Sequence, residues 1–428
     1  MKKEQLIILG QTNYRNQRKK FGIKKEDRRR HMYIVGKTGM GKSTLLLNMI
    51  VQDIWYGNGV AVLDPHGDLA ERLLDYIPPS RINETIYFNP ADTDFPIAFN
   101  PLYYTDPKQK HLVASGLVQV FKKIWADSWG PRLEYVLRNA ILALLERPGH
   151  TLLAVTRMLV DDVFRARIVK GIKDPVVRNF WTVEFEGYPK VFRTETISPI
   201  QNKVGQFLSN PLIRNIVGQT KTKFDLSKVM DQSGILIMNL SKGRIGEDNS
   251  SLLGSLMVTQ LYLAALRRAK QPELDRKDFY LYIDELQSFV TEDFPSILSE
   301  ARKYRLNIAG MANQFISQLP ESLASSILGN VGTLIAFASG SEDAEILARE
   351  FHPLFNEDDI QNLSKHQIYL KQSINGSTSI PFSAEALPAH ESTELSSKEK
   401  IIVQARERYC GKRTQTEDAI GRWISLHV

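Results

Sequence analysis

The chain has 428 residues, 43% of them hydrophobic and 24% charged, with a formal net charge of +7. Such a length buries a large core and predicts two domains plus tails, with charged and apolar fractions ordinary for a globular protein. The single cysteine, Cys410, excludes a disulfide framework and zinc-finger spacing, and suits a reducing cytoplasm.

Residues 1–30 hold eleven Lys or Arg against three Asp or Glu, a local charge of +8 that leaves the remainder at −1. They are expected to form a basic N-terminal arm, with Arg15, Arg18, Lys19, Lys20, Lys24, Lys25, Arg28, Arg29 and Arg30 reaching nucleic-acid phosphates or an anionic membrane surface. A solvated, partly disordered tail accounts for the same composition equally well. The apolar run Leu6-Ile7-Ile8-Leu9 is too short for a secretion signal, and no window approaches 18 consecutive apolar residues, so no segment is expected to cross a bilayer as a helix.

The apolar run Met32-Tyr33-Ile34-Val35 leads into Gly36-Lys37-Thr38-Gly39-Met40-Gly41-Lys42-Ser43, and an apolar helical stretch, 44–51, follows. Strand, glycine-rich loop and helix in that order form a phosphate-binding P-loop. Its glycines let backbone N–H groups turn inward onto phosphate oxygens, and the next helix offers its positive end. Gly36, Thr38, Gly39, Met40, Gly41, Lys42, Ser43 and Thr44 are the expected nucleotide-binding set. Lys42 is placed for the β- and γ-phosphates and Ser43 for Mg²⁺. A glycine-rich turn that binds nothing is the alternative, and the flanking strand and helix argue against it.

Gly57-Asn58-Gly59 ends the helix, and Val60-Ala61-Val62-Leu63 is a strand closing at Asp64-Pro65-His66-Gly67-Asp68. There Asp64 and Asp68 are candidate helix caps, with Asp68 preferred, and His66 can contact nucleotide or polymer. A further strand, 86–88, ends at Asn89-Pro90. This βαβ alternation over 31–103 predicts a parallel sheet with helices on both faces. From 104 to 228 the apolar spacing is helical throughout (111–125, 132–145, 152–160, 191–208), which predicts an inserted all-α domain. Its stripe Leu133, Val136, Leu137, Ala140, Ile141 and Leu144 reads as core.

The sheet resumes over 229–387. A strand at 234–240 and a helix at 252–268 precede the strand Phe279-Tyr280-Leu281-Tyr282-Ile283, which ends in Asp284-Glu285. That is a Walker B pattern: Asp284 for Mg²⁺, Glu285 to polarise water. A helix over 294–304 and strands over 306–312, 331–337 and 367–370 complete the core. Residues 388–428 read as a polar linker and tail, with a helix over Lys398–Tyr409. Gln314 follows the 306–312 strand, where its carboxamide can sense the γ-phosphate. Arg302, supplied from a neighbouring subunit, can neutralise charge on a transferring phosphoryl group; a surface helix arginine is the alternative.

These strings form one ordered series. With Asn100-Pro101-Leu102, Trp129-Gly130-Pro131-Arg132, Asn202-Lys203, Ala301-Arg302-Lys303-Tyr304, Asn313-Gln314 and Gly329-Asn330-Val331-Gly332-Thr333, the chain from about 31 to about 372 resembles the type IV secretion coupling proteins, the VirD4, TraG and TraD group of the FtsK–HerA superfamily. The resemblance implies an α/β fold: a RecA-like P-loop NTPase core with a mainly parallel sheet and an inserted all-α domain. It implies a hexamer using ATP and Mg²⁺ at subunit interfaces to move DNA, single-stranded more readily than double, through a central pore. By similarity Arg302 is a finger acting in trans, Gln314 the γ-phosphate sensor, and the insert a selector of cargo such as a relaxase. Expected catalytic residues are therefore Lys42, Glu285, Arg302 and Gln314, with Ser43 and Asp284 at the metal. Membrane-bound coupling proteins begin with transmembrane helices. This chain has none, which leaves a soluble member, one with a membrane partner, or a truncated chain, in the cytoplasm or peripheral at the inner face of the membrane. Two other functions fit the motifs: a secretion ATPase acting on protein substrates or pilus assembly, and a nucleotide-gated cargo adaptor with little turnover.

Overall fold

A computed structural model describes residues 5–104, 106–391 and 396–425. The chain divides into two compact units, one of residues Met1–Phe88, Leu226–Ser241 and Ala264–Gln404, the other of Asn89–Asp225, Lys242–Leu263 and Ala405–Val428.

The first unit is built on one eleven-stranded sheet. Its seven mutually parallel strands are β3 (Met32–Val35), β4 (Gly59–Asp64), β5 (Thr85–Phe88), β6 (Ile235–Asn239), β7 (Phe279–Ile283), β8 (Leu306–Asn313) and β9 (Thr333–Ala336), in the order β9-β3-β8-β7-β4-β6-β5. Every residue of these strands is buried, which is why they read as continuous apolar runs: helices cover a parallel sheet on both faces. The expected α/β fold with a mainly parallel sheet is the one observed.

Four antiparallel strands extend the sheet beyond β9, and here the structure departs from the sequence reading. β10 (Gln367–Lys371) pairs with β9, and after a small hairpin of β11 (Ser373–Ile374) and β12 (Ser377–Thr378) the strand β13 (Phe382–Ala386) pairs with β10. β13 escapes the sequence because Phe-Ser-Ala-Glu-Ala, between Pro381 and Pro388, is as polar as a loop. β1 (Leu6–Thr12) then adds to β13, and β2 (Lys20–Lys24) forms the edge. The segment expected as a basic arm thus supplies two strands of the sheet. Ile7, Leu9 and Ile23 are buried, and the Gln52 carboxamide of the P-loop helix bonds both backbone groups of Ile8, at 2.8 and 3.0 Å.

Several arm cations are also used inside the fold. Arg28 pairs with Asp53 in the core, and Lys25 and Arg29 both pair with Asp278. Arg15, Arg18, Lys19 and Lys20 are the cations left exposed around the β1–β2 turn. Residues 388–390, expected as linker, are held by Asn48 and Tyr76: Asn48 donates to Pro388 O at 2.9 Å and accepts from His390 N. Part of the linker reading, 392–395, lies outside the described residues.

The second unit is helical. Helices Lys110–Ile124, Pro131–Leu145, Leu153–Val160 and Lys190–Ser209 correspond to the four expected apolar patterns, and the stripe from Leu133 to Leu144 is buried. The unit is wider than the expected 104–228: it takes in 89–103, most of the Glu247–Arg267 helix, and a C-terminal helix, Arg413–Ser425, where a polar tail is expected. That helix has few apolar residues but inserts Ile420 and Thr416, both buried.

Candidate nucleotide-binding and hydrolysis site

β3 ends between the ends of β8 and β9. Gly36 N donates to Asn313 O at 3.3 Å and Lys37 N to Ala338 O at 2.7 Å, so the loop leaves the sheet clasped on both sides. Gly36 (φ 149) and Gly41 (φ 124) take backbone conformations that disfavour side chains, and a Cβ at Gly41 would meet His366 Nδ1 at 2.8 Å. His366 also donates its backbone N–H to Met40 O at 3.0 Å, so a loop more than 300 residues away braces the P-loop. No sequence signal pointed to it. Lys37, Thr38 and Gly39 form the exposed tip, with Met40, Gly41 and Thr44 half-buried behind them. The helix Lys42–Trp55 begins without a side-chain cap, leaving its first N–H groups for an anion.

Lys42 is buried and folds back over the loop, donating to Gly36 O at 2.6 Å and Lys37 O at 3.2 Å. Burial lowers its pKa, while the charges of Glu285 and Asp284 act the other way. Ser43 Oγ donates to Asp284 Oδ2 at 3.2 Å across the gap from helix to β7. Asp284 is 4% exposed. Burial, then the charges of Asp64 and Glu285, push its pKa up to about 6 against the pull of Lys42 and Ser43. The structure therefore brings Lys42, Ser43, Asp284 and Glu285 to one place, at the C-terminal ends of β3 and β7.

Asp64 belongs to this neighbourhood. It accepts from His66 N at 2.8 Å and Ala70 N at 2.9 Å, capping the helix Asp68–Leu73. The preferred cap, Asp68, is instead that helix's first residue, and both it and His66 are exposed. The correction has a simple cause: Gly67 takes a left-handed turn, which carries the chain past the cap position and hands the orphan N–H groups to the buried strand-end carboxylate.

Gln314 lies one residue beyond β8, whose Asn313 is in register with Val35, so it sits beside the start of the P-loop, half-buried. Arg302 lies elsewhere. It is exposed, in the turn Arg302–Tyr304 before β8 begins. β8 has eight residues, so roughly 26 Å of strand separates the end that carries Arg302 from the end that carries Gln314 and the P-loop. Two residues not singled out individually complete the site: Gln287 Nε2 donates to Glu285 Oε2 at 2.6 Å, and Asn313 Nδ2 donates to Gln287 Oε1 at 2.8 Å.

Residues 9–111 match the profile of a family described as the central domain of the helicase HerA. No curated protein matches the chain by sequence. Among solved structures, the chain is similar to the bacterial conjugative coupling protein TrwBdeltaN70 in a trigonal form with sulphate, at 17% identity and a TM-score of 0.66 over 88% of this chain and 90% of that one. It is similar to the plasmid coupling protein TrwB in complex with ADP and Mg²⁺, at 16% identity and 0.64 over 90% and 91%. VirB4 of Thermoanaerobacter pseudethanolicus matches at 14% identity and 0.62 over 90% and 97%. In fold, this chain resembles the conjugative coupling protein, and its residues 9–111 match a HerA-type central domain.

Proposed function

We propose that the chain is an ATPase motor of the type IV secretion machinery that couples hydrolysis to moving DNA, single-stranded by preference, through a hexameric ring. The observation that carries this reading is the split between two ends of one sheet. Lys42, Ser43, Asp284, Glu285 and Gln314 stand at one end, and Arg302 stands exposed at the other, out of reach of its own P-loop. An arginine so placed can serve only a phosphoryl group held by a neighbour, as a ring would require.

The residues present fit ATP and Mg²⁺. The uncapped helix end and the glycine conformations suit phosphates, and Ser43 and Asp284 offer hard oxygen donors 3.2 Å apart. When bound, Mg·ATP supplies the γ-phosphoryl group that passes to water. Lys42 would exchange its carbonyl partners for the phosphates, and Ser43 and Asp284 would hold the metal. Glu285 takes the proton of the attacking water, and Gln314 donates to the γ-phosphate or that water. Relaxase or other cargo, a membrane partner and a place at the inner face of the membrane belong to the same proposal. Among the described residues no helix is long and apolar enough to cross a membrane.

A second reading, a secretion ATPase acting on protein substrates or pilus assembly, is favoured by one observation: Lys25, Arg28 and Arg29 are engaged inside the fold, so the basic segment offers fewer cations to DNA than its composition suggests. ATPase rates with and without single- and double-stranded DNA, at two salt concentrations, decide between them. Stimulation by DNA that fades with salt supports the DNA motor. Turnover indifferent to DNA supports the second reading, and negligible turnover in all conditions supports an adaptor.

A further inference from the structure

The carboxylate assigned to water activation is held by two amides in series. Glu285 sits in the left-handed region (φ 49, ψ 62), unusual for a residue with a side chain, and the turn after it is closed by Ser288 N donating to Glu285 O at 2.9 Å. From that turn Gln287 reaches back, and its Nε2 donates to Glu285 Oε2 at 2.6 Å. The other end of the Gln287 amide accepts from Asn313 Nδ2 at 2.8 Å. Asn313 is wholly buried as the last residue of β8. Its backbone carbonyl accepts from Gly36 N, the first residue of the P-loop, and Gln314 is its chain neighbour.

The geometry points to Gln287 and Asn313 as positioning residues that aim the Glu285 carboxylate and tie its position to the nucleotide. The inference rests on the reading of Glu285 as the general base. Each amide has a donor end and an acceptor end, so the chain Asn313 to Gln287 to Glu285 has one polarity, and the bonds polarise one another. Fixing Gln287 at its carbonyl leaves its NH₂ directed at the carboxylate, whose side-chain torsions the backbone turn alone leaves open. Because Asn313 bonds the P-loop through its backbone and adjoins Gln314, a shift of the strand end on nucleotide binding moves the support of Glu285 with it. The two amides hold one carboxylate oxygen, Oε2, without adding a charge beside it.

The test uses the full chain. Gln287→Met keeps length and removes both hydrogen bonds, and Asn313→Ala removes the far support. Each is measured for kcat and KM with Mg·ATP, affinity for a non-hydrolysable ATP analogue, and thermal midpoint, alone and combined with Glu285→Gln. A residue acting only through Glu285 should lower kcat about 10- to 100-fold and leave KM and analogue affinity within about twofold. In the Glu285→Gln background the same substitution should then cause no further loss in single-turnover rate, since there is no base left to aim. Undiminished kcat, a raised kcat, or an equal loss in the Glu285→Gln background overturns the inference. Should Asn313→Ala fail to fold, the half-buried Gln287 still decides it. If Glu285→Gln alone turns over at the normal rate, the reading of the base has failed instead, and that result is separate from any effect of the amides.

Discussion

Arg28 and Asp53 form a bidentate ion pair inside the core, Nη1 to Oδ1 at 2.8 Å and Nη2 to Oδ2 at 2.6 Å, with both side chains almost wholly excluded from solvent. One partner comes from the basic N-terminal segment and the other from the P-loop helix. Arg28 also donates to the Tyr282 hydroxyl at 2.8 Å and lies 3.8 Å over the Tyr280 ring, both on β7. Burial by itself would lower the pKa of this guanidinium, but Asp53, Tyr282 and Tyr280 more than compensate and raise it.

Removing one member of such a pair leaves the other charge buried and unpaired. Arg28→Ala is therefore expected to destabilise the fold by about 3–5 kcal/mol. Arg28→Lys should recover only part, since an ammonium cannot reproduce the two-pronged contact. Urea unfolding of the three proteins checks this. A loss below about 1 kcal/mol for Arg28→Ala would show that the network relaxes around the gap.

The exposed cations near the β1–β2 turn can be tested without disturbing that core. Alanine at Arg15, Arg18, Lys19 and Lys20 should weaken DNA binding. Each phosphate that is no longer neutralised should reduce the log–log salt slope by about 0.9 on duplex DNA or about 0.7 on single strands. Binding titrations at several salt concentrations give the slope. If it does not change, the hairpin does not touch DNA.

On the proposed reading, in which Lys42 grips phosphate and Glu285 handles water, Lys42→Ala should abolish nucleotide binding or turnover, and Glu285→Gln should keep ATP bound and block hydrolysis. Nucleotide affinity measured beside turnover separates the two. Normal hydrolysis by Glu285→Gln would remove it from the role of base.

The two-ended sheet makes a prediction about mixing. If Arg302 acts in trans as proposed, Arg302→Ala has a sound P-loop and no finger, and Lys42→Ala a sound finger and no P-loop, so each alone should hydrolyse ATP poorly. Mixed rings contain some interfaces with both, and activity should partly return. Absence of recovery in rings shown by mass to be mixed argues against action in trans, provided titration of each mutant into wild type shows no stalling by single dead subunits.

His31 makes the stability of the fold depend on pH. Its Nδ1 accepts from Ile308 N at 3.0 Å, so the ring proton sits on Nε2, 2.9 Å from Leu298 O. Burial first, with the charge of Arg302 in support, lowers its pKa to about 4 despite the Leu298 contact. The unfolded chain takes up this proton near pH 6.5 and the folded one near 4. Stability from His31 is thus present above about 6.5 and lost as pH falls through that window, by roughly 3 kcal/mol. Asp284, raised to about 6, acts in the opposite sense, since the folded state protonates first. The whole-protein profile mixes the two terms, so the diagnostic is the gap between wild type and His31→Asn, which also tolerates the positive φ of 62. That gap should shrink from pH 7 to pH 4, and parallel stability curves would refute it. By the same titration of Asp284, Mg²⁺-dependent nucleotide binding should weaken as pH falls through about 6.

The sequence by itself determined what short-range pattern can encode. Gly36 to Ser43 between a strand and a helix, and a fully apolar strand ending in Asp284-Glu285, need only local backbone conformation and burial on both faces to declare themselves, and the parallel α/β fold follows from their alternation. What only the tertiary structure decided are the pairings between distant segments. Gly10 meets Ala386 across the sheet, which makes strands of a segment whose charge pattern resembled a tail, because composition cannot distinguish a cation in solvent from one buried on Asp53. Arg302 and Gln314 are twelve residues apart in sequence, and only the run of β8 between them sends one to each end of the sheet. Gln287 and Asn313 carried no periodicity or motif spacing that related them, since a hydrogen bond from the end of one strand to the turn after its neighbour depends on strand order, and strand order is set by how the whole chain packs.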